Sequence, residues 1–110
     1  MRYQFDQLII DTNLYQILAG EQLVPVEPKV FDLIIYLINN KERVVSRDEL
    51  FDTIWQGRSV SDTTLSNHIK SARKALGDDG NKQQVINTVR SRGYQFVAQI
   101  QPLDSIREVE

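Results

Sequence analysis

The sequence has 110 residues, 41% of them hydrophobic and 25% charged, with a net charge of −2, which suits one compact domain with a modest core. Without cysteine and with one histidine, His68, it excludes a disulfide framework or thiolate metal site and gives a histidine metal site little support. The polar N-terminus MRYQFDQLII is no signal peptide, and the longest apolar run, LIIYLI at 33–38, falls far below the roughly 20 residues of a membrane span, so a cytoplasmic location is expected.

Residues 2–26 read as short strands: YQF, LII, LYQIL and LVPV are apolar or β-prone, and DTN and AGEQ between them are turn sequences. An antiparallel meander follows, with Pro25 confined to an edge or a strand end. A helix opens near Pro28, a favoured first helical residue. Val30, Phe31, Ile34, Ile35, Leu37 and Ile38 recur at helical spacing, and Asn39 and Asn40 close it. Ser46 to Glu49 has the form of a capping box, in which Ser46 accepts an amide and Glu49 reaches back. It starts a second helix with apolar Leu50, Phe51, Ile54 and Trp55, broken at Gly57. After the loop QGRSV, Ser61 or Asp62 caps a third helix whose apolar stripe is Leu65, Ile69, Ala72 and Leu76; Gly77 suits the left-handed residue that ends it. QVINTV and YQFVAQI then form a hairpin around RSRG. The tail QPLDSIREVE reads as a linker or frayed end, so residues 1–100 form the domain and 101–110 lie outside it. The fold class is α+β: an N-terminal antiparallel sheet, three helices and a C-terminal hairpin, the order of a winged helix-turn-helix.

The mean charge hides an asymmetry. Residues 1–56 carry five bases against nine acids, a balance of −4, whereas residues 57–94 carry seven against three, a balance of +4. A basic C-terminal half on an acidic body has the form of a one-sided phosphate footprint. Off its apolar stripe, the third helix presents Thr63, Ser66, Asn67, Lys70, Ser71, Arg73 and Lys74, with no acid after Asp62. Short hydroxyls and amides compete for backbone hydrogen bonds and rarely crowd a helix interior. A major groove gives them a use: Asn pairs with adenine, Ser and Thr adapt to base edges, and Lys and Arg hold phosphates. The competing reading is a solvated face. Arg90 and Arg92 at the hairpin tip can reach the negative potential of a minor groove.

The runs VVSRDELFDTIW, VSDTTLSNHIKSARKALG and INTVRSRGYQFV together resemble the effector domain of OmpR/PhoB-type regulators. The likeness extends from about Leu23 to Val97, and the N-terminal strands match the family's extra sheet. It implies sequence-specific binding of double-stranded DNA as the operator-reading module of a bacterial transcription regulator, with helix 62–76 in the major groove and wing 90–93 in the minor groove. It further implies that Asn67, Ser71 and Arg90 contact bases. Trp55, Thr63, Thr64, His68, Lys70, Arg73 and Thr88 take positions on the DNA backbone or bracing the helix, and Lys74 and Arg92 join them as phosphate-binding bases. Several have a structural competitor: core packing for Trp55, a helix–helix hydrogen bond for His68, an ion pair for Arg73. Tyr94 and Phe96 are expected to pack the wing.

Thr63 and Ser71 stand where many relatives carry Arg, and Ser91 replaces the usual wing glycine, which points to weaker intrinsic affinity or a different base preference. The alternative is a winged-helix module that binds protein without specific DNA contact. No Ser/His/Asp arrangement, glycine-rich phosphate loop or paired carboxylates stand at catalytic spacing, so neither enzyme activity nor a cofactor is expected. The resemblance also implies binding as a dimer or tandem pair, and contact of loop 56–61 with RNA polymerase. With Met1 leading straight into the first strand, no receiver domain is expected ahead of it. The favoured plan is therefore a DNA-binding domain placed first, joined to a C-terminal sensor or repeat domain, in a protein that could be anchored in a membrane beyond residue 110.

Overall fold

Period-two alternation builds the first layer. In the computed structural model, which describes residues 2–58 and 60–103, strands β1 (Arg2–Phe5), β2 (Leu8–Asp11), β3 (Gln16–Ala19) and β4 (Gln22–Val24) form an antiparallel meander. Its register aligns Tyr3 with Ile10, Ile10 with Ile17 and Ile17 with Val24. This row turns fully buried Ile10 and Ile17 toward the core, with Tyr3 and Val24 packed at its ends. The Asp11 carboxylate accepts the amides of Asn13 (2.9 Å) and Leu14 (3.1 Å), which shapes the β2–β3 turn.

The helices are α1 (Pro28–Asn39), α2 (Arg47–Ile54) and α3 (Asp62–Ala75). Pro28 opens α1 as expected, and Val30, Phe31, Leu33, Ile34, Leu37 and Ile38 are buried. Leu33 belongs to this face although the spacing argument passed over it, and Ile35 is only half buried. Lys29 Nζ donates to the Ile54 carbonyl at 2.8 Å, placing a cation on the negative end of α2. Ser61 Oγ accepts the Thr64 amide at 3.1 Å and caps α3. The stripe Leu65, Ile69, Ala72 and Leu76 is buried throughout and packs on α1. Gly77, at φ +76°, turns the chain out of the helix.

The capping box is only half made. Ser46 Oγ accepts the Glu49 amide at 3.1 Å, but the Glu49 carboxylate does not reach back. Arg43 takes both its oxygens, at 2.9 and 2.5 Å, and the Tyr36 hydroxyl donates to it as well. A guanidinium fork outcompetes a single backbone amide for a carboxylate. The Arg43 fork, then the Tyr36 hydroxyl, lower Glu49 from 4.5 to about 2. A depressed folded value means the pair stabilises the fold above the ordinary carboxylate range and loses that contribution as pH falls toward about 2. Thermal melts from pH 7 to pH 2 should therefore show a shallower acid decline for Glu49→Gln than for the parent. The difference should be modest because the pair is partly solvated.

Strands β5 (Ile86–Val89) and β6 (Gly93–Phe96) form the hairpin. Phe5 meets Phe96 edge-on at 6.4 Å, joining the N-terminal sheet to the hairpin. The expected tail begins later than position 101. Strand β7 (Gln101–Pro102) pairs with β1, and the Leu103 amide donates to the Arg2 carbonyl at 2.8 Å. The unpaired edge of β1 supplies the acceptors, and Pro102 is tolerated because β7 is an edge strand. The remainder of that tail, 104–110, lies outside the described residues.

Candidate nucleic-acid interface

The buried stripe of α3 fixes which side chains face outward. Directly opposite it lie Thr63, Asn67, Lys70, Ser71 and Lys74, spaced four, three, one and three residues apart and all exposed, with Ser66 beside them. Among the described residues, the side chains of Asn67, Lys70, Ser71 and Lys74 have no hydrogen-bond or ion-pair partner, so their polar groups are available. Thr64 is half-buried, and its hydroxyl shares a 3.0 Å hydrogen bond with the capping Ser61. Arg73 and Lys74 occupy the last turn of α3 and Asp62 the first, each with the sign the helix dipole favours.

His68 and Trp55 are placed beneath this face. Trp55 is 7% exposed and belongs to the core, with the His68 ring edge-on to it at 5.2 Å. His68 Nδ1 donates to the Thr64 carbonyl, 2.8 Å away and one turn back in the same helix; among the described residues it makes no bond to another helix. With Nδ1 as the donor, Nε2 of the neutral ring can only accept, so a phosphate would be bound by the protonated ring alone. Both side chains are placed to hold α3 against the end of α2.

Arg73 and Thr88, separate positions in the sequence reading, meet each other. Arg73 Nε donates to the Ile86 carbonyl at 3.1 Å and Nη2 to Thr88 Oγ1 at 2.7 Å. The partners of Arg73 are thus a carbonyl and a hydroxyl, in place of the carboxylate that an ion pair would need. Gln83 Oε1 accepts the Thr88 amide at 2.8 Å from the other side. Helix α3 and strand β5 are thereby bolted together.

The wing tip is a tight turn in which the Arg92 amide donates to the Val89 carbonyl at 2.9 Å. The guanidinium groups of Arg90 and Arg92 are exposed on it, without a partner among the described residues. Ser91 adopts φ +64°, a conformation that glycine takes at lower cost. Tyr94 and Phe96 pack inward as expected. Tyr94 also bonds through its backbone to Val45 in both directions, at 2.8 and 2.9 Å, an isolated bridge that pins the wing to the entry of α2.

One residue was missed by the sequence reading. Arg47, which lies inside the capping segment 46–49 with no role of its own there, lines a cleft with Thr88, Val89, Ser91, Arg92, Gly93 and Tyr94. It is held by Asp62 only loosely, at 3.8 Å, with both side chains largely exposed. The signal available was an arginine on the first turn of a helix, where the dipole disfavours it. Loop 56–61 includes Ser59, which lies outside the described residues.

The family model described as "Transcriptional regulatory protein, C terminal" matches residues 20–96. The phosphate regulon transcriptional regulatory protein PhoB of Escherichia coli (strain K12) is 34% identical over 90 residues, covering 81% of this chain and 39% of that protein. The transcriptional activator CadC of the same strain is 29% identical over 93 residues, covering 84% of this chain and 18% of its own length. Among solved structures, the RstA DNA-binding domain of Klebsiella pneumoniae, in complex with the RstA box, superposes with a TM-score of 0.74 at 28% identity, covering 87% of this chain and 96% of that one. The chain thus spans two-fifths or less of the length of these two curated relatives.

Proposed function

The chain belongs to the family of transcriptional regulatory protein C-terminal domains, the OmpR/PhoB-type winged-helix DNA-binding domains, and on that footing we propose that it reads double-stranded DNA as the operator-binding module of a bacterial transcription regulator. The family is one of DNA-binding domains, not of enzymes. The observation that carries the proposal is the outer side of α3, where the side chains of Asn67, Lys70, Ser71 and Lys74 stand together without partners among the described residues. In this reading α3 enters the major groove. Asn67 and Ser71 meet base edges, while Thr63, Thr64, Lys70 and Lys74 line the phosphates. Arg90 reaches into the neighbouring minor groove, and Arg92 holds its phosphate wall. Trp55 and His68 brace the helix from below.

The RstA domain, crystallised in complex with its box, supports this reading through its shared fold. The short share of each relative covered by the match supports a longer regulator, in which this domain is joined to a sensor or repeat domain and binds repeated half-sites as a dimer or tandem pair. Cytoplasmic placement of the domain follows from access to DNA. Loop 56–61 is the segment proposed to meet RNA polymerase.

Fluorescence anisotropy with duplex from the gene's own upstream region, against random duplex in a salt series, tests the proposal. The upstream duplex should bind more tightly, with affinity falling as salt rises. Asn67→Ala should relax preference at one base position by about 1–3 kcal/mol, and Arg90→Ala should weaken binding chiefly at A·T-rich flanks. Binding weaker than about 10⁻⁴ M at physiological salt, poorer than ordinary non-specific contact, would contradict it.

A further inference from the structure

We propose that Arg73 is a positioning residue: it sets the wing at a fixed angle to the recognition helix, so that base preference at the wing depends on a guanidinium that does not itself contact DNA. This rests on the DNA-binding reading above and refines it. The family likeness gives Arg73 and Thr88 separate positions, on the DNA backbone or bracing the helix, but here they are spent on each other. The guanidinium donates from Nε to the Ile86 carbonyl and from Nη2 to Thr88 Oγ1, two acceptors on one strand two residues apart. A planar fork held at two points fixes orientation as well as distance, which a single ammonium cannot do. Thr88 is clamped from its other side, where its amide donates to Gln83 Oε1, and Gln83 Nε2 in turn donates to the Gly80 carbonyl at 2.9 Å. The chain from α3 to β5 therefore passes through side chains, while the hairpin's own turn lies beyond it at residues 90–92. Arg90 sits two residues past Thr88, so a small change of angle at Thr88 is carried directly to the arginine proposed for the minor groove.

A phosphate contact and a positioning role predict different results. A lost phosphate contact weakens binding evenly across sequences and lowers the salt slope by about one ion, whereas a lost positioning contact leaves the slope unchanged. Lysine would preserve a phosphate contact but cannot fork across two acceptors.

The test begins with selection of duplexes from a randomised library by the 110-residue chain. The most enriched duplex and a copy altered only in the wing flank are then compared. Arg73→Lys and, separately, Thr88→Val should each reduce discrimination between the two duplexes by about 5-fold or more, with the salt slope unchanged. Lys70→Ala, the reference for a phosphate contact, should lower the slope and leave discrimination intact. The double variant Arg73→Lys/Thr88→Val should be no worse than either single one, since both break the same link. Retained discrimination in Arg73→Lys, or additive losses in the double variant, would overturn the positioning role while leaving DNA binding standing. Failure of the library to enrich any duplex would overturn the DNA-binding reading, and this inference with it.

Discussion

Gly93→Ala is expected to cost about 3 kcal/mol or more of folding stability, the largest loss expected from a methyl group added at any of the glycines. A Cβ at Gly93 would lie 2.0 Å from the Val45 carbonyl oxygen, 2.8 Å from its carbon and 2.9 Å from Ser46 Cα, while φ stands at +147°. All three neighbours are backbone, so no rotamer change relieves the clash. The strands must part, which gives up the two Val45–Tyr94 hydrogen bonds at 2.8 and 2.9 Å. Each is worth about 1 kcal/mol, and the strained backbone adds about 1–3 kcal/mol. Thermal melts should show a loss above about 10 °C. Gly77 provides the control, because at φ +76° a methyl added there would meet nothing within 4 Å. Gly77→Ala should therefore cost only about 1 kcal/mol, the conformational part. Equal losses for the two would show that the close approach to Val45 is not what constrains position 93. Because the same contact holds the wing to α2, a surviving Gly93→Ala fold should also bind DNA less selectively.

Asp78→Ala is the second large effect expected. Its carboxylate organises the loop between α3 and the wing, accepting the amides of Gln84 (2.8 Å), Val85 (2.9 Å) and Ile86 (3.1 Å). Val85 and Ile86 are buried, 3% and 0% exposed, so two of these donors would lose their partner out of reach of solvent. An orphaned buried donor costs about 1–3 kcal/mol, and the sum for this site should be about 3 kcal/mol by urea denaturation. Burial pushes the Asp78 carboxyl up, but the amides of Val85, Gln84, Ile86 and Asp79 outweigh it and hold the group below its ordinary value. A depressed folded value stabilises above the ordinary aspartate range and is lost as pH falls below it. Asp78→Asn, which keeps the shape and one acceptor, should lie between alanine and the parent at neutral pH and should flatten the acid decline. An alanine variant as stable as the parent would mean that water satisfies the three amides.

Much of this fold was legible in the sequence because its signals are local. Pro28, Ser46, Ser61 and Gly77 mark helix ends by capping chemistry that acts over a few residues, and Leu65, Ile69, Ala72 and Leu76 declare a buried stripe by spacing alone. The exposed set on α3 follows from that stripe without further information. What escaped was long-range. Gly93 looks like an ordinary hairpin glycine until Val45, far earlier in the chain, closes on it. Strand β7 is two residues with a proline, too short to carry a period, and it exists because β1 offers an open edge. Glu49 fits a capping box, yet Arg43 and Tyr36 reach it first. The link between Arg73 and Thr88 depends on the height of the hairpin relative to α3, which no spacing encodes. Arg47 likewise gains its place beside the wing only once the three helices pack.

If the DNA-binding reading holds, one continuous surface, the outer side of α3 together with the wing tip, meets DNA. An NMR titration of the ¹⁵N-labelled chain with a duplex bearing its preferred site tests this most directly. Amide shifts should concentrate at Thr63, Asn67, Lys70, Ser71 and Lys74 and at Arg90 to Arg92, with the row Tyr3, Ile10, Ile17 and Val24 unmoved. Shifts centred on the N-terminal sheet or on the outer side of α1, with α3 and the wing silent, would contradict it and favour a protein-binding module instead.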